Sequence, residues 1–170
     1  MADSRPDRPV MPGYGILPPD EGSGLLAWSE VERRLSASHD YWVATTRPDG
    51  RPHVMPVWGV WLDGRVWFSS GRRSLKARNL DADPRCTVTT DDARDPVVID
   101  GVAERLTDRP AIEAFVAAVN AKYRGGMTVG FQNPDVNGTY AVRPERVIAI
   151  SGDDFTGSPT RWRFPNARSS

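Results

Sequence analysis

The sequence predicts a mainly β domain (β+α), a mostly antiparallel barrel carrying peripheral helices. Three observations lead there. Six or seven short β-branched and aromatic runs divide the chain, two of the early gaps hold Asp-Gly turns, and only three segments carry helical signals. At 170 residues the chain is long enough for one domain with its own core.

The elements follow in order. Residues 1–24 are rich in proline and glycine and read as an extended arm. Its apolar middle, Val10 to Leu17, predicts that it lies on the body or on a partner subunit. The domain proper spans 25–165, and 166–170 read as a disordered tail. Ser29 with Glu32 three residues on matches a capping box and predicts a helix to about Ala37. Strands follow at Tyr41–Thr46, His53–Leu62 and Val66–Ser70, joined by turns at Asp49-Gly50 and Asp63-Gly64. Ser74 to Leu80 reads as a short helix. Cys86–Thr90 and Val97–Leu106 are strands, with a bulge at Asp100-Gly101 because no strand break surrounds that pair. Asp108 caps a helix with Pro110 in its first turn, and Ile112, Phe115, Val116 and Val119 form its apolar stripe. Residues 123–138 have no period. Thr139–Arg143 and Val147–Ile150 read as two paired strands turned at Arg143-Pro144-Glu145-Arg146, and Thr160–Phe164 as a last strand.

Composition narrows the function. Lys+Arg and Asp+Glu are 22 each, so the basic excess of a nucleic-acid binder is missing. No apolar run approaches the roughly 18 residues of a membrane span, and the first residues carry no apolar signal-peptide core. A cytoplasmic location is expected, with the lone Cys86 a buried structural thiol. Two histidines and one cysteine, far apart, give no metal site, and no hydrolase or nucleotide-loop motif is present. No catalytic residue stands out, so chemistry here falls to a bound cofactor.

One segment has the makings of an anion site. Ser69-Ser70-Gly71-Arg72-Arg73-Ser74-Leu75-Lys76-Ala77-Arg78 follows a strand and opens a helix, bringing hydroxyls, helix N-terminal amides and cations together. Lys76 is one of two lysines against 20 arginines. Ser74 also fits as a plain N-cap, and Arg78, two residues from Lys76, does not share its helix face. On the His53–Leu62 strand, Pro56 cannot donate to a ladder, so backbone beside Val57 and Trp58 could meet a flat ring; two core tryptophans explain the same pattern.

In this order, Tyr41–Thr45, Asp49–Trp58, Val66–Ser70, Ser74-x-Lys76-Ala77-x-Asn79-Leu80 with Asp83-Pro84-Arg85, and Gly101-x-Ala103-Glu104 resemble the pyridoxamine 5′-phosphate oxidase-like split β-barrel superfamily. Within it the chain is most similar to the flavin/deazaflavin oxidoreductases that use coenzyme F420. The resemblance implies a six-stranded antiparallel split β-barrel, an FMN-binding type of barrel, working as a homodimer with cofactor sites at the subunit interface. It implies that His53, Val57 and Trp58 pass beside the ring system. Ser69, Ser70, Arg72, Arg73, Ser74, Lys76 and Arg78 would hold the phosphate and tail, and Trp162 and Arg163 would approach the other subunit's site. The expected activity is hydride transfer from reduced F420 to a small organic acceptor. FMN is the alternative cofactor, and a flavin-, F420- or haem-binding protein without turnover is the alternative function. True pyridoxamine phosphate oxidases carry an Arg and a Lys on the strand that here reads His53 to Trp58, so vitamin B6 oxidation is not implied.

Overall fold

The computed structural model describes residues 5–164. Seven strands, β1 (Asp40–Thr46), β2 (Pro52–Leu62), β3 (Arg65–Gly71), β4 (Arg85–Thr90), β5 (Val97–Leu106), β6 (Asn137–Ala149) and β7 (Thr160–Arg163), accompany three helices, α1 (Trp28–Ala37), α2 (Leu75–Ala82) and α3 (Arg109–Tyr123). The sheet runs β3-β2-β1-β4-β5-β6-β7, and β3 also pairs with β6. That pairing closes six antiparallel strands into a barrel and leaves β7 outside, on β6.

Local chemistry explains most of the elements. Asp63 and Gly64 both adopt positive φ, at 51° and 71°, as a two-residue hairpin turn requires. Ser74 caps α2 and Asp108 caps α3, each accepting from the amide three residues on. The stripe Ile112, Phe115, Val116 and Val119 is buried, as its spacing predicts.

Two expectations need correction. α1 begins at Trp28 behind Ala27, and no side chain caps it; Ser29 is already helical. Glu30 faces along the helix instead, accepting from Arg33 and Arg34. The second correction concerns Arg143-Pro144-Glu145-Arg146, which is no turn: β6 runs unbroken from Asn137 to Ala149. The β5–β6 register shifts there, Asp100 facing Arg146 and Gly101 facing Pro144, so Glu145 is the extra residue of a bulge. A bulge tolerates a proline that a regular ladder would reject. Gly101 is needed opposite it, because a Cβ would run into the Arg143 carbonyl.

Two cores flank the barrel wall. Inside, Tyr41, Val43, Phe68, Val88, Ile99 and Val147 pack with Val31 and Leu35 of α1. Outside, Val60, Trp67 and Ala141 form a row across β2, β3 and β6 that α3 covers with Phe115 and Val119. The arm is tied to the body at Asp7, which exchanges backbone bonds with Arg161, and at Leu17, whose amide donates to Thr156. Residues 166–170, expected as a disordered tail, lie outside the described residues.

β2 changes partners midway. Its pairing with β1 ends at Trp58, and its pairing with β3 begins at Gly59. The Gly59 amide donates to the Tyr123 hydroxyl (2.9 Å), and its carbonyl accepts from Lys122 Nζ (2.6 Å). A side chain at 59 has no room, since a Cβ would stand 2.9 Å from both the Trp67 carbonyl and the Tyr41 ring. Gly59→Ala is expected to destabilise the protein by about 1–3 kcal/mol in urea unfolding, the usual cost of overpacking. An unchanged midpoint would show that the corner relaxes freely.

Candidate functional site

The site is built where β3 hands over to α2. Ser69 and Ser70 end the strand, Gly71 begins the turn, and Ser74 caps the helix with its hydroxyl 3.1 Å from the Ala77 amide. Ser70 and Ser74 hydroxyls also bond each other at 2.8 Å. Lys76, Ala77, Asn79 and Leu80 make the buried face of α2.

Lys76 is the odd member of that face. It is 7% exposed. Its ammonium lies 5.5 Å from the centre of the Phe68 ring and has neither a hydrogen bond nor an ion pair among the described residues. Burial without a counter-charge pulls its pKa from 10.5 down to about 8. Burying the charged form without a counter-charge opposes folding at neutral pH.

Lys76 lines a cavity of about 640 Å³, within the range of small-molecule sites. β2 supplies Val57 and Trp58, and β3 supplies Ser69. α3 and the segment after it close the other side with Phe115, Asn120, Met127 and Phe131. Lys76 is the only charged residue of the lining, which holds no carboxylate and no imidazole. The Trp58 indole stacks on Tyr123, centroids 4.6 Å apart and planes 9° off parallel, and remains 57% exposed. Ser69 Oγ accepts from Gln132 Nε2 (3.3 Å), which leaves its own proton free for a ligand oxygen.

The structure thus gathers Val57, Trp58, Ser69 and Lys76, and sets Ser70 and Ser74 just behind them as helix-start scaffolding. The other residues named from sequence stand elsewhere. Arg72 is engaged by Asp81 (3.0 Å) and the Tyr140 hydroxyl (3.4 Å), which raises its pKa. Arg73 and Arg78 are exposed, with no side-chain partner among the described residues. His53 lies beside Thr45, Nδ1 to Oγ1 3.5 Å, away from the cavity. Trp162 is buried in the core, edge-on to Trp28, and Arg163 pairs with Asp7 at 2.7 Å.

From the sequence, residues 123–138 and the two termini are expected to build the second half of the pocket, and 125–128 and Phe131 do line it, but the sequence singles out no side chain of that wall. Asn120 holds Met127 through both its amide atoms (2.8 Å each), and Gln132, fully buried, ties Ser69 to Thr139. No periodicity marks these residues; the Gly125-Gly126 pair is the one local signal of a loop. Tyr123 is not free for proton transfer, since its hydroxyl donates to the His39 carbonyl and accepts from Gly59. Cys86 is buried, and burial pushes its thiol up to about 12. No metal-holding group of His, Cys, Asp or Glu occurs among the described residues, and no described helix is long and apolar enough to cross a membrane.

Removing a cation that lowers stability should stabilise the fold. Lys76→Met is expected to raise unfolding free energy by about 1–3 kcal/mol at pH 7, read by urea denaturation. The sign follows from the lowered pKa: the folded state sheds its proton near pH 8, the unfolded chain near 10.5, so the wild type recovers stability across that window. The gain from Lys76→Met should shrink accordingly by pH 10. A destabilised Lys76→Met would mean that the ammonium has a structural partner.

No curated protein matches the chain. A family model described as pyridoxamine 5′-phosphate oxidase matches residues 27–151. Among solved structures, the conserved hypothetical protein Rv2991 from Mycobacterium tuberculosis is 21% identical, with 95% of this chain and 98% of that one covered and a TM-score of 0.66. An F420 reductase is 26% identical over 68% of this chain and 94% of its own, with a TM-score of 0.57. HutZ, the haem storage protein of Vibrio cholerae, is 20% identical over 69% and 89%, with a TM-score of 0.58. The family match spans most of the chain and the barrel topology agrees with it: this chain belongs to the pyridoxamine 5′-phosphate oxidase family.

Proposed function

We propose that the protein is a cytoplasmic oxidoreductase in which coenzyme F420, reduced, passes a hydride to a small organic acceptor. The carrying observation is Lys76: a buried ammonium without a counter-anion, at the edge of a cavity, fits a phosphate better than it fits an empty core. The 26% identity to an F420 reductase supports the same cofactor. F420 carries more negative charge than FMN along a longer tail, and the exposed Arg73 before α2 and Arg78 within it, outside the cavity lining, are the cations we assign to that tail.

When bound, the cofactor supplies the hydride. The chain's part is to bind and orient. Lys76 and the Ser69 hydroxyl would hold the phosphate, Val57 and the backbone at Trp58 would form the wall beside the ring, and Phe115 and Val119 would keep water out. The lining holds no carboxylate or imidazole, so the protein adds no acid–base pair from this chain. FMN is the second reading, since it presents the same phosphate to Lys76. A haem-storage role is less well supported, because the cavity offers no imidazole or thiolate to ligate iron.

Fluorescence titration with F420 and with FMN tests this directly. F420 is expected to bind in the micromolar range or tighter and FMN more weakly; the reverse order would move the protein to FMN. Lys76→Met should weaken binding about 10- to 100-fold, the value of a charge-assisted hydrogen bond. In the wild type, affinity should be level from pH 7 to 8 and then fall about tenfold per pH unit as Lys76 loses its proton. A level profile to pH 10, or binding untouched by Lys76→Met, would remove the phosphate from this site.

We also propose that the outer face of β1 and β2 pairs with a second copy. Trp42, Val54 and Pro56 lie on that face in register and are exposed, with Trp58 at its end. Trp42→Glu is expected to convert a dimer to a monomer in sedimentation velocity. A dimer that survives this change would place the interface elsewhere.

A further inference from the structure

The cavity has two unlike ends. Lys76 and Ser69 form a polar end, and Trp58 with Phe131 forms an aromatic one. Phe131 is 60% exposed. Two large rings open to one cavity offer flat apolar faces that a planar ligand can cover.

The chain holds Phe131 outward by several bonds. It sits in a one-turn 3-10 helix, Val129–Gln132, whose cap Thr128 accepts from the Phe131 amide. Its neighbour Gln132 points inward and is fully buried. Asn137 Nδ2 donates to the Phe131 carbonyl (2.7 Å), and Asn120 fixes Met127 at the start of the segment. Opposite, Tyr123 backs Trp58 and is itself fixed at Gly59. Each ring is set on a bonded or stacked support, and the two make no ring contact with each other.

We propose that Trp58 and Phe131 are the jaws of the acceptor subsite, and that it takes planar conjugated molecules that are neutral or anionic. The proposal rests on the oxidoreductase reading for the word acceptor, but the subsite itself does not. Planarity follows from two ring walls, which reward an offset-stacked partner. In the cofactor-free protein, charge selection follows from the lining, where one ammonium has no carboxylate to balance it and a cationic ligand meets repulsion. Phe131 then sets which acceptors are used.

The test uses one bicyclic shape in several forms. Full-length protein is titrated by calorimetry with 2-naphthol, 2-naphthalenesulfonate, the cation N-methylquinolinium and the saturated 2-decalol. The naphthyl pair should bind at least about tenfold tighter than the cation and the decalol. Phe131→Ala should weaken the naphthyl pair about tenfold, with unchanged melting temperature and unchanged F420 affinity. 2-Naphthol should still bind when F420 is saturating. Equal binding of N-methylquinolinium, no effect of Phe131→Ala, no naphthyl binding, or displacement of 2-naphthol by F420 would each overturn the assignment. Failure of the cofactor reading looks different: F420 and FMN would not bind, while the naphthyl series would keep its order.

Discussion

The partner change in β2 is the constraint on which the site depends. A strand that leaves β1 at Trp58 and joins β3 at Gly59 exposes backbone polar groups at the corner, and these must be satisfied. α3 does so with its last two residues, Lys122 on the Gly59 carbonyl and Tyr123 on the Gly59 amide. That fastening fixes where α3 ends, and the segment after it then forms the far wall of the cavity. The same tyrosine backs Trp58, so the strand corner and the ligand wall share one support.

Both lysines of an arginine-rich chain sit in such places. Lys122 reaches a carbonyl between the rings of Tyr41 and Tyr123, and Lys76 stands over Phe68. Burial lowers each to a pKa of about 8. A compact ammonium fits where a planar guanidinium would need more room and more partners. They differ in one respect. Lys122 has its acceptor within the fold, and Lys76 has none among the described residues, which is the physical basis for assigning an external anion to Lys76 alone.

Much of this was legible in the sequence, where local rules and tertiary demands coincide. The Asp63-Gly64 turn, the Ser74 and Asp108 caps, the α3 stripe and the irregularity at Asp100-Gly101 are local signals that packing did not overrule. The errors lie where a local signal met a stronger non-local one. Arg143-Pro144-Glu145-Arg146 imitates a turn, but pairing with β5 and β7 carries β6 straight through it by way of a bulge. Ser29 imitates a cap, but the burial of Val31 and Leu35 starts α1 earlier. For the site, the strand-to-helix half was legible because hydroxyls, glycine and lysine are contiguous. Of the far wall only the segment 123–138 was legible, not its side chains, because Asn120, Gln132 and Asn137 act through bonds to distant or irregular parts of the chain that leave no period in the sequence.

The central claim is that Lys76 awaits an anion, and two lysines make it directly measurable. Selective 13C labelling of lysine side chains gives two signals to titrate by NMR, in free protein and with F420 or FMN added. The account predicts two titrations near pH 8 in the free protein. On ligand binding, Lys76 moves up toward or above its ordinary 10.5 while Lys122 stays in place. A bound cofactor that leaves the Lys76 titration unmoved would contradict the account.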